Sequence, residues 1–269
     1  MKSLIVIPAR YGSTRFPGKP LAMIAGKTML QRVCEVANQV ANQVRHTQVL
    51  VATDDERICT HANDLGVKAV LTPRECSTGT DRILCAIEGM PAPENVINLQ
   101  GDAPLTPEFL LHGLLTALTE NQYSVVTPVV QLPWCDLDAL RAAKETQPFS
   151  GTLAIVNQND EAIWFSKQIL PAMRAEEQLQ RAEELSPVYR HLGLYGYKIE
   201  SLKLFASLSK GIYEQLEGLE QLRFLEHGHP IKVVKFDAKV LPLWRGVDTQ
   251  EDIEYVERVL QQREILVGT

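Results

Sequence analysis

The sequence predicts an α/β fold with a mostly parallel sheet and an inserted antiparallel portion. Two observations predict this class. As far as about residue 145, short apolar runs alternate with segments of helical spacing, which is typical of βαβ units. Beyond that point, apolar runs flank a polar turn at 158–160, which indicates an antiparallel hairpin.

The parallel part is predicted from five apolar runs. They lie at 3–8, 48–53, 68–72, 96–99 and from 125 onwards. Their near-continuous apolar character fits strands that are buried on both faces. Helical spacing follows Met29, the acids at 54–56 and Phe109, and recurs around Ile83. We therefore expect strands and helices to alternate through this part of the chain.

The antiparallel part is predicted from shorter signals. Strands are expected at 152–156, 162–165, 192–199 and 231–236. A helical stripe is formed by Leu216, Leu219, Leu222 and Leu225. Residues 172–187, rich in Glu, Gln and Ala, predict a solvated loop or an exposed helix, and Thr249 with Asp252 is a near match to a capping box at the last helix. We expect one domain over 1–269, with an inserted portion at about 146–230.

The composition is that of a globular protein. The 269 residues include 27 Lys and Arg against 33 Asp and Glu, with 45% hydrophobic residues and a formal charge of −6. This mixture excludes a disordered tail, a collagen-like fibre and a low-complexity scaffold. Because nucleic acid and membranes attract basic surfaces, the mild acidity predicts neither as a partner. An anionic ligand is still compatible with a local cluster of Arg and Lys.

The cysteines indicate neither a disulfide framework nor a structural zinc site. They number five: Cys34, Cys59, Cys76, Cys85 and Cys135. Their number is odd, no pair has C-x-x-C spacing, and none lies near a His at metal-ligand spacing. The first apolar run is too short for a signal peptide, and no stretch approaches the roughly 18 apolar residues of a membrane span. A cytoplasmic location is therefore expected.

A basic, glycine-containing loop gives the strongest local signal. It runs from Arg10 to Lys19, contains Arg15, Gly12 and Gly18, and directly follows the first strand. Ligands of α/β proteins bind at that edge of the sheet, and glycine allows backbone N–H groups to approach a phosphate that Arg and Lys neutralise. The loop is neither a Walker A motif nor a dinucleotide fingerprint. The alternative is a mobile basic surface loop.

Two carboxylates are candidates for a metal site. Asp102 follows the fourth predicted strand at the same edge of the sheet, and Asp248 precedes the last helix, which Thr249 can cap. Mg²⁺ prefers a few carboxylates together with phosphate oxygens and water. The alternatives are an ordinary turn aspartate for Asp102 and a helix cap for Asp248.

These motifs together resemble one family. In order, the chain reads PAR-x-G-STR-x-PGKPL, ATD, TGTDR, QGD-x-P, RHLG-x-YGY, GLEQLR and GVDT-x-ED, from residue 5 to residue 256. This series closely resembles the cytidylyltransferases that activate 3-deoxy-manno-octulosonate (KDO). The opening motif is shared more loosely with other sugar nucleotidyltransferases, including those that act on sialic acid. The resemblance implies a Rossmann-like sheet of the nucleotide-diphospho-sugar transferase type.

The resemblance also implies a reaction and its participants. CTP and an octulosonate sugar acid would give a CMP-sugar and pyrophosphate, with Mg²⁺ as cofactor and a homodimer as the assembly. Arg10, Arg15 and Lys19 would hold the triphosphate, and Asp102 and Asp248 would hold Mg²⁺. The positions that match the CTP pocket are Ala9, Arg10, Lys19, Arg74, Thr78, Gly79 and Gln100. The positions that match the sugar side are Lys167, His191, Tyr195, Glu220 and Gln221, and the resemblance implies a sugar-binding and dimerisation portion at about 146–230.

The sugar-side assignments have ordinary alternatives. Glu220 and Gln221 could form a solvated helix face, and Tyr195 could be a core aromatic. Three residues also depart from the family pattern: Ala103 replaces an acid, Lys167 an arginine and Ala172 a tryptophan. Lysine loses the bidentate fork with which arginine binds a carboxylate. These departures favour an altered sugar such as 8-amino-KDO, with drift at tolerant positions as the alternative.

Other functions compete with this interpretation. Plain KDO and a sialic-acid-type sugar are alternative acceptors. The absence of a glycine fingerprint disfavours a nicotinamide oxidoreductase, and a nucleotide-sugar glycosyltransferase would not need the closely spaced cations of the loop. A non-catalytic nucleotide-binding regulator is a further alternative, which pyrophosphate release from CTP would exclude.

Overall fold

The computed structural model describes residues 2–12, 16–76, 78–120, 122–243 and 246–267. Its strands are β1 (Ser3–Ala9), β2 (Met23–Ile24), β3 (Lys27–Thr28), β4 (Thr47–Thr53), β5 (Ala69–Leu71), β6 (Asn95–Asn98), β7 (Val125–Pro133), β8 (Thr152–Val156), β9 (Ala162–Ser166), β10 (Leu185–His191), β11 (Tyr195–Lys198) and β12 (Lys232–Phe236). Its α-helices are α1 (Met29–Gln43), α2 (Glu56–Asp64), α3 (Gly79–Ile87), α4 (Glu108–Thr119), α5 (Trp134–Thr146), α6 (Glu176–Ala182), α7 (Ile199–Ser207), α8 (Ile212–Glu217), α9 (Leu222–Glu226) and α10 (Gln250–Val267). Short 3-10 helices lie at Lys19–Leu21 and Ala238–Leu243.

The chain groups into two compact units. One comprises Met1–Leu115 and Leu241–Thr269, and the other comprises Thr116–Val240. The inserted portion predicted at about 146–230 lies inside the second unit, whose bounds are wider at both ends. The single-domain organisation stays a prediction.

A parallel sheet forms the centre of the first unit. Its strand order is β5-β4-β1-β6, and each neighbouring pair is parallel. The apolar side chains of β1 from Leu4 to Ile7 are at most 1% exposed, as expected for a strand covered on both faces. The α/β class and the βαβ order of this part are therefore confirmed.

The helices of the first unit begin at side-chain caps. The Thr28 side chain accepts from the N–H of Gln31 at α1, and the Asp55 side chain accepts from the N–H of Arg57 at α2. At α10, Thr249 and Asp252 exchange hydrogen bonds in the expected capping box. These caps fix the loops that precede the helices.

A mainly antiparallel sheet forms the second unit. Its strand order is β11-β7-β10-β8-β9, with β12 added in parallel to β7. The predicted hairpin is confirmed by the β8–β9 pair. At its turn, the Asn157 side chain accepts from the N–H groups of Asn159 and Glu161, and Asp160 adopts a positive φ of 57°.

Two expectations for the second unit are wrong. The leucine stripe is not one helix: α8 ends before Gly218, which has a φ of 65°, and α9 begins only at Leu222. Leu216 is consequently 75% exposed, whereas Leu222 is fully buried. A left-handed glycine ends a helix whatever the hydrophobic spacing that surrounds it.

The strand expected at 192–199 is also shorter than predicted. β11 covers only Tyr195–Lys198, and Ile199 already begins α7. The exposed helix expected within 172–187 is present as α6, but β10 begins at Leu185 in the same segment. Within the described ranges, no helix combines the length and the apolar character needed to cross a membrane.

Candidate functional site

A polar cavity of about 370 Å³ lies in the first unit where β1 and β6 end. Since β1 and β6 are parallel neighbours, the loops that follow them lie at one edge of the sheet. The predicted site residues that line the cavity are Ala9, Arg10, Lys19, Thr78, Gly79, Gln100, Asp102 and Asp248. Residues separated by more than 200 positions in sequence therefore meet at one cavity.

Two predicted residues are not part of this set. Arg74 is exposed in the turn after β5 and is not among the residues that line the cavity. Arg15 lies outside the described residues.

The basic loop folds back on itself. The N–H of Gly18 donates to the carbonyl of Tyr11 at 2.9 Å, and Gly18 has a φ of 73°, which favours glycine. The Tyr11 N–H donates to Asp54, and the Arg57 guanidinium lies 3.5 Å from the centre of the Tyr11 ring. This closure brings Arg10 and Lys19 to the same cavity.

Lys19 joins the two candidate metal ligands. Its Nζ lies 2.8 Å from Oδ2 of Asp102 and 3.1 Å from Oδ1 of Asp248. The N–H of Val247 donates to the carbonyl of Asp102 at 2.9 Å, and Asp252 accepts from the N–H of Asp248 at 3.0 Å. Backbone hydrogen bonds and a helix cap therefore hold both carboxylates towards one cation.

The donor set fits Mg²⁺ better than a softer metal. Asp102 and Asp248 offer hard carboxylate oxygens, and their common orientation towards the Lys19 ammonium places them in the field of one positive charge. Among the described residues, no three His, Cys, Asp or Glu side chains are grouped to hold a metal. The described residues would thus supply two carboxylate ligands, which suits an ion that also takes phosphate oxygens and water.

The helix α3 begins at the cavity. Thr78 and Asp81 form a capping box, with the Asp81 N–H donating to the Thr78 hydroxyl at 3.0 Å. The positive end of the helix therefore lies beside Gly79, where an anion is stabilised. A Cβ on Gly101 would lie only 2.7 Å from the Pro8 carbonyl, so the close approach of the turn after β6 to β1 requires glycine there.

Arg82, at the cavity, and Asn98, beside it, are two polar residues that were not assigned from the sequence. Arg82 lines the cavity, with its nearly buried guanidinium donating to Asp54 at 3.0 Å and to Thr72. The sequence feature that could have assigned Arg82 to the site is its position in TGTDR, one turn into the predicted helix. Asn98 is fully buried, and its Oδ1 accepts a hydrogen bond from Nε2 of Gln100 at 3.3 Å. The Gln100 side chain can therefore use its Oε1 to accept a hydrogen bond from a ligand.

The predicted sugar residues all lie in the second unit. His191 is buried, its ring centre is 5.4 Å from that of Tyr195, and Lys167 is close enough to affect its pKa. Burial raises the pKa of the Tyr195 phenol, and the charge of Glu220 raises it further. Gln221 is 4% exposed, which rules out a solvated helix face for this residue.

The protonation of His191 follows from its surroundings. The Thr127 hydroxyl donates its one hydrogen to the Leu194 carbonyl at 2.7 Å, so His191 must donate from Nε2 to the Thr127 oxygen at 2.8 Å. Burial, assisted by Lys167, lowers the pKa of His191 to about 3. The ring is therefore neutral at pH 7, and its Nδ1 can accept a hydrogen bond.

Lys167 is held as a partly buried cation. Its Nζ donates to the Thr152 hydroxyl at 2.9 Å. Burial lowers the pKa of its ammonium, whereas the charge of Glu217 raises it. Lys144 and Arg190 lie nearby, because both Lys167 and Arg190 lower the pKa of Lys144, after burial. The cluster carries a net positive charge that suits a carboxylate.

Known proteins resemble this chain over nearly its whole length. A family model described as cytidylyltransferase matches residues 4–235. The chain is 42% identical to a 3-deoxy-manno-octulosonate cytidylyltransferase of Maricaulis maris over 262 residues, 97% of each protein. It is 38% identical to an 8-amino-3,8-dideoxy-manno-octulosonate cytidylyltransferase of Shewanella woodyi, over 96% of this chain and 98% of that one. A solved structure of CMP:2-keto-3-deoxy-manno-octonic acid synthetase complexed with CTP matches with a TM-score of 0.83 and 33% identity, over 98% of this chain and 100% of that one.

Proposed function

Because the chain belongs to the cytidylyltransferase family, we propose that it transfers CMP from CTP to the anomeric hydroxyl of a 3-deoxy-manno-octulosonate and releases pyrophosphate. The observation that carries the proposal is the Lys19 ammonium held by Asp102 and Asp248 at a cavity that also contains Arg10 and Gln100. A nucleoside triphosphate needs cations at its phosphates and an amide at its base. The cavity offers both.

The triphosphate is proposed to bind at the basic loop. Arg10 and Lys19 would donate to its phosphate oxygens, and the N-terminus of α3 would contribute N–H groups at Gly79. Negative charge moves to the departing pyrophosphate when the α-phosphorus is attacked. Fixed cations at that position lower the barrier, so no covalent nucleophile on the protein is required.

The carboxylates of Asp102 and Asp248 are proposed to hold Mg²⁺. The ion would supply charge compensation for the phosphate oxygens. The two residues fit this role because their oxygens already accept from one cation, Lys19, and because the carboxylates stand on loops fixed by hydrogen bonds.

Gln100 is proposed to recognise the base of the nucleotide. Because its Nε2 donates to Asn98, its Oε1 would accept from the exocyclic amino group of cytosine. Uracil carries a carbonyl oxygen at that position and would place two acceptors together. This arrangement supports CTP rather than UTP as the substrate.

The sugar acid is proposed to bind in the second unit. The positive cluster around Lys167 would attract the carboxylate, and Nδ1 of neutral His191 would accept from a sugar hydroxyl. The Tyr195 phenol stays protonated because burial and Glu220 raise its pKa, so it can donate. The Nε2 of Gln221 is buried without a hydrogen-bond partner among the described residues, and a sugar oxygen would satisfy it.

An 8-amino octulosonate is the second candidate acceptor. Lys167 stands where the family pattern has arginine, and Glu217 and Glu220 lie close to the sugar residues and could face an ammonium group. The cations Lys144 and Arg190 oppose this, because they would repel the same group. The amino sugar is favoured if Glu217 and Glu220 lie nearer to its position 8 than Lys144 and Arg190 do.

One experiment tests the proposed function and separates the two acceptors. Pyrophosphate release is measured with CTP and either KDO or its 8-amino analogue, and with UTP in place of CTP as a control for the base. We expect release that depends on an octulosonate and is at least tenfold faster with CTP. Equal or higher kcat/KM with plain KDO excludes the amino preference, and no sugar-dependent release excludes the function.

A homodimer is proposed as the assembly, and a cytoplasmic location stays a prediction. Large apolar side chains are exposed in the second unit, including Ile163 (55%), Ile212 (70%) and Leu216 (75%). Burying such side chains between two copies would remove them from water. Sedimentation at micromolar concentration should give twice the chain mass of 30.1 kDa, and a species of one chain mass would exclude the dimer.

A further inference from the structure

One carboxylate holds the segment that carries Lys167. Glu217, the last residue of α8, accepts from the Ser166 hydroxyl at 2.7 Å and from the Lys167 N–H at 2.8 Å. The Ser166 oxygen in turn accepts from the N–H of Gln168 at 2.9 Å. Because a hydroxyl has one hydrogen, the Ser166 hydrogen is committed to Glu217. The turn after β9 therefore depends on a residue 50 positions later in the chain.

The same residue begins the turn that carries the other sugar residues. Gly218 follows it directly with a left-handed backbone, and the N–H of Leu219 donates to the carbonyl of Glu214 at 3.2 Å. The chain then reaches Glu220 and the buried Gln221 before α9 begins. Glu217 thus connects the segment of Lys167 to the segment of Glu220 and Gln221.

The charge of Glu217 stabilises the Lys167 ammonium, in addition to the hydrogen bonds by which Glu217 holds the segment that carries it. It opposes the burial that lowers the pKa of Lys167, and it also raises the pKa of Lys144. The other charged or titratable groups acting within this cluster are Arg190 and His191. A carboxylate at position 217 therefore helps to keep the Lys167 ammonium protonated as well as in place.

We propose that Glu217 is the positioning residue for the proposed sugar-binding residues of the second unit, fixing Lys167 on one side and the Glu220–Gln221 turn on the other. The inference rests on the proposed function, since it takes Lys167, Glu220 and Gln221 as sugar-binding residues. Glu217 itself need not touch the sugar. Its removal acts on the binding of the octulosonate and not on the binding of CTP.

Glu217→Gln tests this with a nearly isosteric change. The amide keeps one acceptor oxygen but presents an NH₂ group to a donor and removes the charge. We expect KM for the octulosonate to rise about tenfold, while KM for CTP stays within twofold. Raising the pH should weaken sugar binding at a lower pH than in the wild type, because the Lys167 ammonium has lost its supporting charge.

Glu226→Gln is the matched control. Glu226 also accepts two backbone N–H groups of α8, from Tyr213 at 2.9 Å and from Glu214 at 2.8 Å. These hydrogen bonds join Glu226 to the first turn of α8 and not to Lys167, Glu220 or Gln221. It should lose a comparable amount of thermal stability with both KM values unchanged. An equal sugar KM in Glu217→Gln and wild type would overturn the proposal and leave a merely structural carboxylate.

Ser166→Ala provides a second variant if Glu217→Gln does not fold. It removes one of the two hydrogen bonds of Glu217 and the hydrogen bond from the Gln168 N–H, and it keeps the charge of Glu217, so the sugar KM should rise about threefold. An unchanged sugar KM in this variant would also overturn the proposal. Failure of the proposed function looks different, because the wild type would then show no octulosonate-dependent pyrophosphate release. That result would end both proposals.

Discussion

Replacing Lys19 with alanine removes the cation that joins Asp102 and Asp248. The Nζ atom lies 2.8 Å and 3.1 Å from oxygens of the two carboxylates, and the Lys19 side chain is only 13% exposed. If Lys19 also binds the triphosphate as proposed, the variant loses a fixed positive charge where negative charge develops. We therefore expect a large effect on the reaction and a small effect on folding.

The two magnitudes can be worked from these distances. The two carboxylate oxygens can be at most about 6 Å apart, so two unit charges on them repel by at least roughly 0.7 kcal/mol in water. Both carboxylates are 36% exposed, so solvent screens them and the stability cost should stay at about 1 kcal/mol. A preorganised group that meets developing charge contributes about 3–4 kcal/mol to the transition state, or roughly 10²–10³ in kcat/KM.

The assay is pyrophosphate release from CTP with an octulosonate, alongside circular dichroism and urea unfolding. Lys27→Ala is the matched control, because Lys27 pairs with Glu35 at 2.8 Å but is 43% exposed and is not among the residues that line the cavity. It should leave kcat/KM within twofold. The reasoning is refuted if Lys19→Ala stays within threefold of wild type, or if its activity is lost through unfolding.

The remaining predictions concern the carboxylates and a buried histidine. Asp102→Asn and Asp248→Asn should each lower Mg²⁺-dependent turnover at least 10²-fold with the fold intact. Asp138→Asn, at an exposed ion pair, is the control and should change turnover little. Activity that persists in excess chelator would exclude the metal. The pKa of His191 is about 3 in the folded protein, so below pH 6.5 this residue binds a proton in the unfolded chain but not in the native state. The free energy of unfolding should therefore fall by about 2 kcal/mol from pH 7 to pH 5. Urea titrations should show that His191→Gln loses this pH-dependent decrease and that His46→Asn, at an exposed imidazole, keeps it; an equal decrease in all three proteins would contradict the buried neutral ring.

The sequence was sufficient to predict how the cavity of the first unit is assembled. Lys19 and Asp102 follow strands that were recognisable from apolar composition, and parallel strands bring such loops to one edge. Asp248 was placed there only by the resemblance to a family, because no local pattern shows which edge the chain reaches before α10. Arg82 was missed because its role depends on Asp54 and Thr72, which lie on other elements.

The second unit was less predictable for physical reasons. The strand β10 contains Pro187, which disfavours a strand in sequence patterns, and a register shift between Leu185 and Tyr189 accommodates it. The prediction of one helix from the leucine stripe did not take Gly218 into account, and the left-handed conformation of this residue ends α8. The hydrogen bonds of Glu217 span 50 residues and have no sequence signature. Contacts of this kind are fixed by tertiary packing and not by local propensity.

The fate of the α-phosphorus tests the central claim most directly. The protein is incubated with Mg²⁺, an octulosonate and CTP that is radiolabelled at the α-phosphorus, and the products are separated. Attack by the anomeric hydroxyl at that atom predicts all of the transferred label in a CMP-octulosonate and none in the pyrophosphate. Label recovered in CDP or in free CMP, with no sugar adduct, would contradict the account.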